Sequence, residues 1–210
     1  MKTVNLIGNP KYLEKLARIQ QEILDSGDPL AANYQDINWA EFFEFTALMN
    51  DEDEIICFSG IQTRNNFPPN TARIGSRAWV SPKVRLKGLV TRDVSKIVGH
   101  HSRYIMPRQI QFCKDAGMDY CFISRQYLNK PNGLKMVLKV YDYLGIEYVT
   151  SFDLGFNVVT AHSVEFEDQG KWQFIVAFPT KFSKEETLER IKSDFANQPI
   201  DVLLKHQLKS

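Results

Sequence analysis

The chain reads as an α/β protein of the α+β kind, with a mixed, mostly antiparallel central sheet flanked by helices. Three observations predict this. Between Trp39 and Val80, runs rich in aromatic and β-branched residues are separated by polar or proline-containing turns, as in a meander of hairpins. After Pro82 the pattern changes to apolar residues at helical spacing, interrupted by one compact extended run. The composition is that of an ordinary globular protein: 43% hydrophobic and 24% charged residues in 210, which disfavours the disordered and membrane classes. That length suits a single unit spanning residues 1–210, and no linker, internal repeat or low-complexity segment divides it.

Lys2 to Ile7 alternates and reads as an edge strand. Asn9-Pro10 then starts a helix, with Asn9 as cap and Pro10 in the first turn. Leu13, Leu16, Ile19, Ile23 and Leu24 recur at helical spacing until Ser26-Gly27-Asp28-Pro29 ends the element, and Pro29 to Asn38 is a loop or a poorly formed helix. Trp39–Leu48 and Glu54–Thr63 form a hairpin around the acidic turn at residues 50–53. Strict alternation puts Phe43, Phe45 and Ala47 on one face and Phe42, Glu44 and Thr46 on the other. Phe67-Pro68-Pro69-Asn70 is a turn, and Thr71–Val80 is the third strand of the meander, stopped by Pro82.

From Arg85 to about Ser102 the periodicity is weak. It sharpens through Tyr104, Ile105, Ile110, Phe112 and Cys113, and Gly117 suits the helix end. Tyr120–Ser124 is a buried strand, and Leu134–Leu144 a helix closed by Gly145. Asn157–Phe166 and Trp172–Phe178 read as a hairpin around Glu167-Asp168-Gln169-Gly170. A last helix covers about 183–197, with Ser183 and Glu186 at capping-box spacing and Leu188 and Ile191 facing the sheet.

Several function classes are disfavoured at once. Cys57, Cys113 and Cys121 have neither a close pairing nor a C-x-x-C spacing, which argues against a disulfide framework and a zinc site. Adjacent His100 and His101 point in different directions and have no ligand at metal spacing, so no metal is expected. No apolar window approaches a membrane span and the first ten residues lack the apolar core of a secretory signal, so a cytoplasmic protein is expected. A net charge of +1 excludes a globally basic nucleic-acid binder. Locally, however, Lys83, Arg85, Lys87, Arg92, Lys96, Arg103 and Arg108 face a single acid, Asp93. This suits a ligand carrying several phosphates. With only Tyr104 available for stacking, nucleic acid fits the segment less well.

Two motifs carry a family resemblance. Arg77-Ala78-Trp79-Val80-Ser81-Pro82-Lys83-Val84-Arg85-Leu86-Lys87-Gly88 is similar to a strand ending in V-x-P that leads into R-x-x-G. Val140-Tyr141-Asp142-Tyr143-Leu144-Gly145-Ile146 is similar to an aromatic-Tyr-x-x-Leu-Gly-aliphatic helix end. Together with the element order over Met1 to about Phe178, they make the chain resemble a divergent member of the GCN5-related N-acetyltransferase (GNAT) superfamily, of acyl-CoA N-acyltransferase-like fold. The resemblance implies acetyl-CoA as acyl donor, lying between splayed fourth and fifth strands, with its pyrophosphate on backbone N–H groups at a helix start. Exposed N–H groups and the helix dipole favour an anion there.

On that resemblance Arg85, Lys87, Gly88 and Val90 occupy the phosphate-loop pattern, with Val90 where a small residue is expected. The distance from Gly88 to Tyr120 leaves two alternatives. Either a helix begins at Thr91 and is interrupted, or Arg85–His101 is an insertion and the loop is Ser102–Met106, with Arg103 and Tyr104. Backbone near Trp79 and Val80 would hold the acyl carbonyl, Tyr141 would protonate the departing thiolate, and Glu44 is a candidate base for the attacking amine. His162 is more simply a structural histidine. The function implied is transfer of an acyl group to the amine of a small-molecule or peptide acceptor. The alternative is a catalytically inactive module of the same fold that binds or interacts, and a further one is a related enzyme using another activated donor, such as an aminoacyl-tRNA. An acidic hairpin tip at Asp51–Glu54 would suit a polyamine-like acceptor, and the aromatic strands leave room for a homodimer.

Overall fold

In the computed structural model, residues 1–26, 37–64, 67–85, 93–123, 131–150, 153 and 176–196 are described, with the backbone alone for 131–135 and 195–196. Strand β1 (Lys2–Asn5) precedes helix α1 (Pro10–Asp25), and the meander follows as β2 (Phe42–Met49), β3 (Ile55–Gln62) and β4 (Thr71–Val80). A π-helical turn (His101–Ile105) runs into α2 (Met106–Asp115), then β5 (Tyr120–Ile123), α3 (Pro131–Leu144), β6 (Val149–Thr150), β7 (Val176–Pro179) and α4 (Lys184–Ala196). The described strands make one seven-stranded sheet in the order β1-β2-β3-β4-β5-β7-β6. Every pair is antiparallel except the central β4–β5 pair. This is the mixed, mostly antiparallel class that the pattern of runs predicts.

Helices cover both faces. On one, Leu16 and Ile23 of α1 pack on Phe42, Phe45, Ala47 and Phe58, while Leu188 and Ile191 of α4 pack on Tyr120, Phe122 and Ala177. On the other, α2 and α3 bring Met106, Cys113 and Tyr141 against Ile61, Ala72, Ile74, Cys121, Ile123 and Phe178. All three cysteines are buried and free. No helix among the described residues is long and apolar enough to cross a membrane.

Local chemistry accounts for most boundaries. Ser183 and Glu186 form a reciprocal capping box, the Ser183 N–H donating to the Glu186 carboxylate at 3.0 Å and the Glu186 N–H to Ser183 Oγ at 3.2 Å. Gly117 and Gly145 end α2 and α3 with φ of +67°, a conformation that glycine adopts without strain. Asn9 has extended backbone at the cap of α1, yet its side chain makes no capping bond.

The structure corrects the reading of β2 in two ways. Trp39–Glu41 is a 3-10 turn capped by Asn38, so the strand starts only at Phe42. A bulge between Phe42 and Glu44 then breaks the alternation. Phe42 thereby joins Phe45 in the core, and Phe43 is left 46% exposed. At the carboxyl side, β7 lies between β5 and β6, and Val149–Thr150 is a strand that the run pattern did not indicate. The expected extended run 157–166 and the turn 167–170 lie outside the described residues.

Candidate functional site

Strands β4 and β5 form a fork. They pair in parallel through only Thr71, Ala72 and Arg73 against Tyr120, Cys121 and Phe122, and β4 then continues to Val80 with no described strand on that side. The cause lies in the β3–β4 register. Gly60 opposes Ser76 and Gln62 opposes Arg73, so β4 spends three steps where β3 spends two; Phe58 opposes Trp79, which repeats the mismatch. Each is a bulge that adds one residue to β4, and successive bulges bend and twist a strand away from its neighbour. Backbone conformation marks them: Gly75 has φ +66° and Arg77 φ +55°, the latter an uncommon value for a long side chain.

At its closed end the fork is pinned. The N–H of Asp119 donates to the carbonyl of Asn70 at 2.9 Å, and Asn70 Nδ2 donates to the Asp119 carboxylate at 2.9 Å. Asp119 is 3% exposed and is also paired with Lys181 and Arg190.

At the open end, β4 passes through Ser81 into a turn, and the Arg85 guanidinium folds back to donate to the Val80 carbonyl at 3.0 Å. Trp79 stacks on Phe58 with ring centroids 5.3 Å apart, and Val80 packs with Cys57 and Ile105 on the other face. Lys87, Gly88 and Val90 lie outside the described residues. Ahead of the long helix the described chain holds only a 3-10 turn at Val94–Lys96. The helix itself begins in the π turn at His101, so its start carries His100, Arg103 and Tyr104. Arg103 and Tyr104 are exposed, and the Tyr104 ring stacks on His100 at 6.2 Å.

Beneath the bulged part of β4, on the α2 side, sits a polar group that sequence reasoning missed, with Ser59 and Gln109 buried and His101 half-buried. His101 Nε2 is 2.7 Å from Ser59 Oγ, and burial pushes the imidazole down to about 4, so it is neutral at pH 7. Gln109, with no exposed surface, donates from Nε2 to the Ser59 carbonyl at 3.0 Å and accepts the Gly75 N–H at 3.0 Å. On the opposite face, between the α1 and α4 clusters, Gln62 accepts from Arg73 and from Ser76 Oγ, and donates to Glu41, which also holds Arg64.

The structure places the two catalytic candidates differently. Tyr141 on α3 is 1% exposed, in the core at the α2–α3 face, its ring edge-on to Phe178 at 5.3 Å and 6.0 Å from Tyr148. Glu44 is on β2, two strands from β4, and its carboxylate accepts from Arg108 Nε at 2.9 Å and Thr46 Oγ1 at 2.7 Å. The acidic hairpin tip is likewise engaged. Asp53 lies within 2.8 Å of Lys11 and 2.6 Å of Lys15, whose hydrogen bonds hold it well below the usual carboxylate range, while Asp51 meets the amino terminus and Glu54 meets Lys83.

Solved structures similar to this chain include acetyltransferases of the GNAT family. A GNAT-family acetyltransferase from Staphylococcus aureus shares 11% identity over 86% of this chain and 100% of its own, with a TM-score of 0.45. The ribosomal-protein-S18-alanine N-acetyltransferase of Escherichia coli shares 13% over 88% of this chain and 96% of its own, at 0.45. A GNAT-superfamily phosphinothricin acetyltransferase from Sinorhizobium meliloti, solved in complex with AcCoA, shares 11% over 84% of each chain, at 0.43. No family model and no curated protein matches the sequence.

Proposed function

We propose that the chain is a divergent GNAT-superfamily enzyme that transfers the acyl group of acetyl-CoA to the amine of a small molecule or peptide. The fork is the observation that carries this. Among the described residues the parallel pairing ends at Arg73 and leaves a strand edge along Ile74–Val80, and an extended amide-bearing chain such as the pantetheine arm can lie along such an edge as an added strand. The helix that starts at His101 lies on the same side as Val80, through Ile105, and offers its dipole and first N–H groups to a pyrophosphate, with Arg103 and Arg85 adding charge.

The chemistry is the one that the family resemblance implies. The amine attacks the thioester carbon, backbone N–H groups of β4 near Trp79 and Val80 stabilise the developing oxyanion, and Tyr141 gives a proton to the coenzyme A thiolate. The polar row Gln62, Arg73 and Ser76, between the α1 and α4 clusters, offers an acceptor polar groups on that face of the sheet.

A second reading has a specific observation behind it. Glu44 is committed to Arg108 and Thr46, which leaves the base for the amine unassigned and favours a module that binds coenzyme A without turnover.

Calorimetric titration with acetyl-CoA and with coenzyme A tests both. Micromolar binding that weakens at least tenfold in Arg103→Ala or Arg85→Ala supports a cofactor at the helix start. Thiol release with an amine panel, slowed at least tenfold in Tyr141→Phe at unchanged donor affinity, supports transfer. Binding without release under any amine favours the inactive module, and binding of neither ligand overturns both readings.

A further inference from the structure

The two bulges leave buried backbone groups that one side chain reaches together. The Ser59 carbonyl sits in the Phe58–Gly60 bulge and the Gly75 N–H in the Gly60–Gln62 bulge, both in buried residues on either side of the Gly60–Ser76 pair. Left alone, each would forfeit roughly 1–3 kcal/mol. The Gln109 carboxamide reaches both from α2, at 3.0 Å each. The Gln109 carboxamide uses one of its two N–H donors and its carbonyl acceptor here, at nearly the spacing of a peptide group, so it stands in for a peptide unit of the ladder.

His101 secures the same residue by its side chain, 2.7 Å from Ser59 Oγ. Its Cε1 and the Met106 sulfur also lie 3.9 Å from where a Cβ on Gly75 would be, so the bulge is enclosed from the helix side.

Simple stability does not call for this arrangement. A regular strand beneath an apolar side chain at position 109 would pack on Met106 and Cys113 with no buried amide to satisfy. What the amide maintains is the bulged course of β4, at the first residues past its last described β5 partner.

We infer that Gln109 is a positioning residue of the acyl site: it holds the bulge, and the bulge aims the β4 backbone beyond it at the acyl carbonyl of the donor. This rests on the acyl-CoA reading. Gln109 touches neither reacting group and acts through the strand.

Coenzyme A and acetyl-CoA differ by the acyl group alone, so the pair isolates the claim. In Gln109→Met, which keeps length and loses both hydrogen bonds, acetyl-CoA affinity is expected to fall about three- to tenfold, the loss of one hydrogen bond, while coenzyme A affinity changes less than twofold. Cys113→Ala, a cavity in the same helix and core, is expected to lower the melting temperature and leave the ratio of the two affinities unchanged. Should Gln109→Met fail to fold, Gln109→Asn, with its amide one methylene short, is expected to show the same selective loss. An equal loss for both ligands, no loss in either, or a selective loss in Cys113→Ala overturns the inference and leaves the acyl-CoA reading standing. A wild-type protein that binds neither ligand overturns that reading itself.

Discussion

Gly60 of β3 lies directly against the ring of Phe42 on β2. A Cβ at position 60 would stand 2.4 Å from Cδ1 and Cε1 of Phe42 and 2.8 Å from Cδ2 of Phe45, inside the range real carbon contacts allow. The rings are not free to swing, because Trp39 meets Phe42 at 6.3 Å and Phe45 at 5.3 Å. Gly60→Ala is therefore expected to destabilise the fold by about 1–3 kcal/mol, the range for overpacking a filled core. Urea unfolding checks this, and a midpoint unchanged from wild type would mean that the rings yield.

Thr187 is the opposite case, a place where the native side chain is not optimal. It is fully buried in α4 and its Oγ1 has no hydrogen-bond partner among the described residues. Thr187→Val keeps the shape and removes the unsatisfied hydroxyl, at similar helix propensity, so it is expected to stabilise by about 1 kcal/mol. Thr187→Ser, which keeps the hydroxyl and deletes a methyl, is expected to destabilise. Thermal melts of the two variants should move in opposite directions.

His101 predicts an acid-sensitive step. Burial lowers the imidazole from 6.5 to about 4 in the folded state, so the unfolded chain binds more protons between these values. Stability is then unpenalised above pH 6.5 and falls as the pH drops towards 4, because the ring must either charge in a buried place or lose it. Between pH 7 and pH 4.5 the wild type is expected to lose about 2–3 kcal/mol that His101→Asn does not, measured by denaturant unfolding of both at each pH. Parallel losses in the two proteins would remove His101 from the account, since carboxylates titrate in the same window.

Much of the fold was legible because its signals are local. Ser183 and Glu186 stand three residues apart and form the capping box that their spacing predicts, and Gly117 and Gly145 close helices where the apolar periodicity stops. Thr71–Val80 has the bounds read from its composition. What escaped was set by registers between strands. The bulge that turns Phe42 inward and Phe43 outward has no signature in a run of aromatic residues, because either alternation looks equally good in one dimension. The pairing of Asp53 in the acidic turn with Lys11 and Lys15 of α1 likewise has no signature in one dimension. Gln109 was invisible for the same reason. It is one amide on an amphipathic helix until the fold sets it against residues 34 and 50 positions away.

The fork also determines how the molecule can move. Its closed end is stapled by Asn70 and Asp119, with Lys181 and Arg190 gripping the same carboxylate, whereas its open end is bounded by side-chain packing alone among the described residues. Two hydrogen-bonded half-sheets therefore share a short seam with a pivot at one end. Rotation about that pivot stretches few backbone bonds and changes the gap most at Val80, farthest from the staple. A ligand that threads the gap would lock the halves together, so its arrival should be felt in β5 and β7, on the far side of the seam, as well as in the strand it lies along.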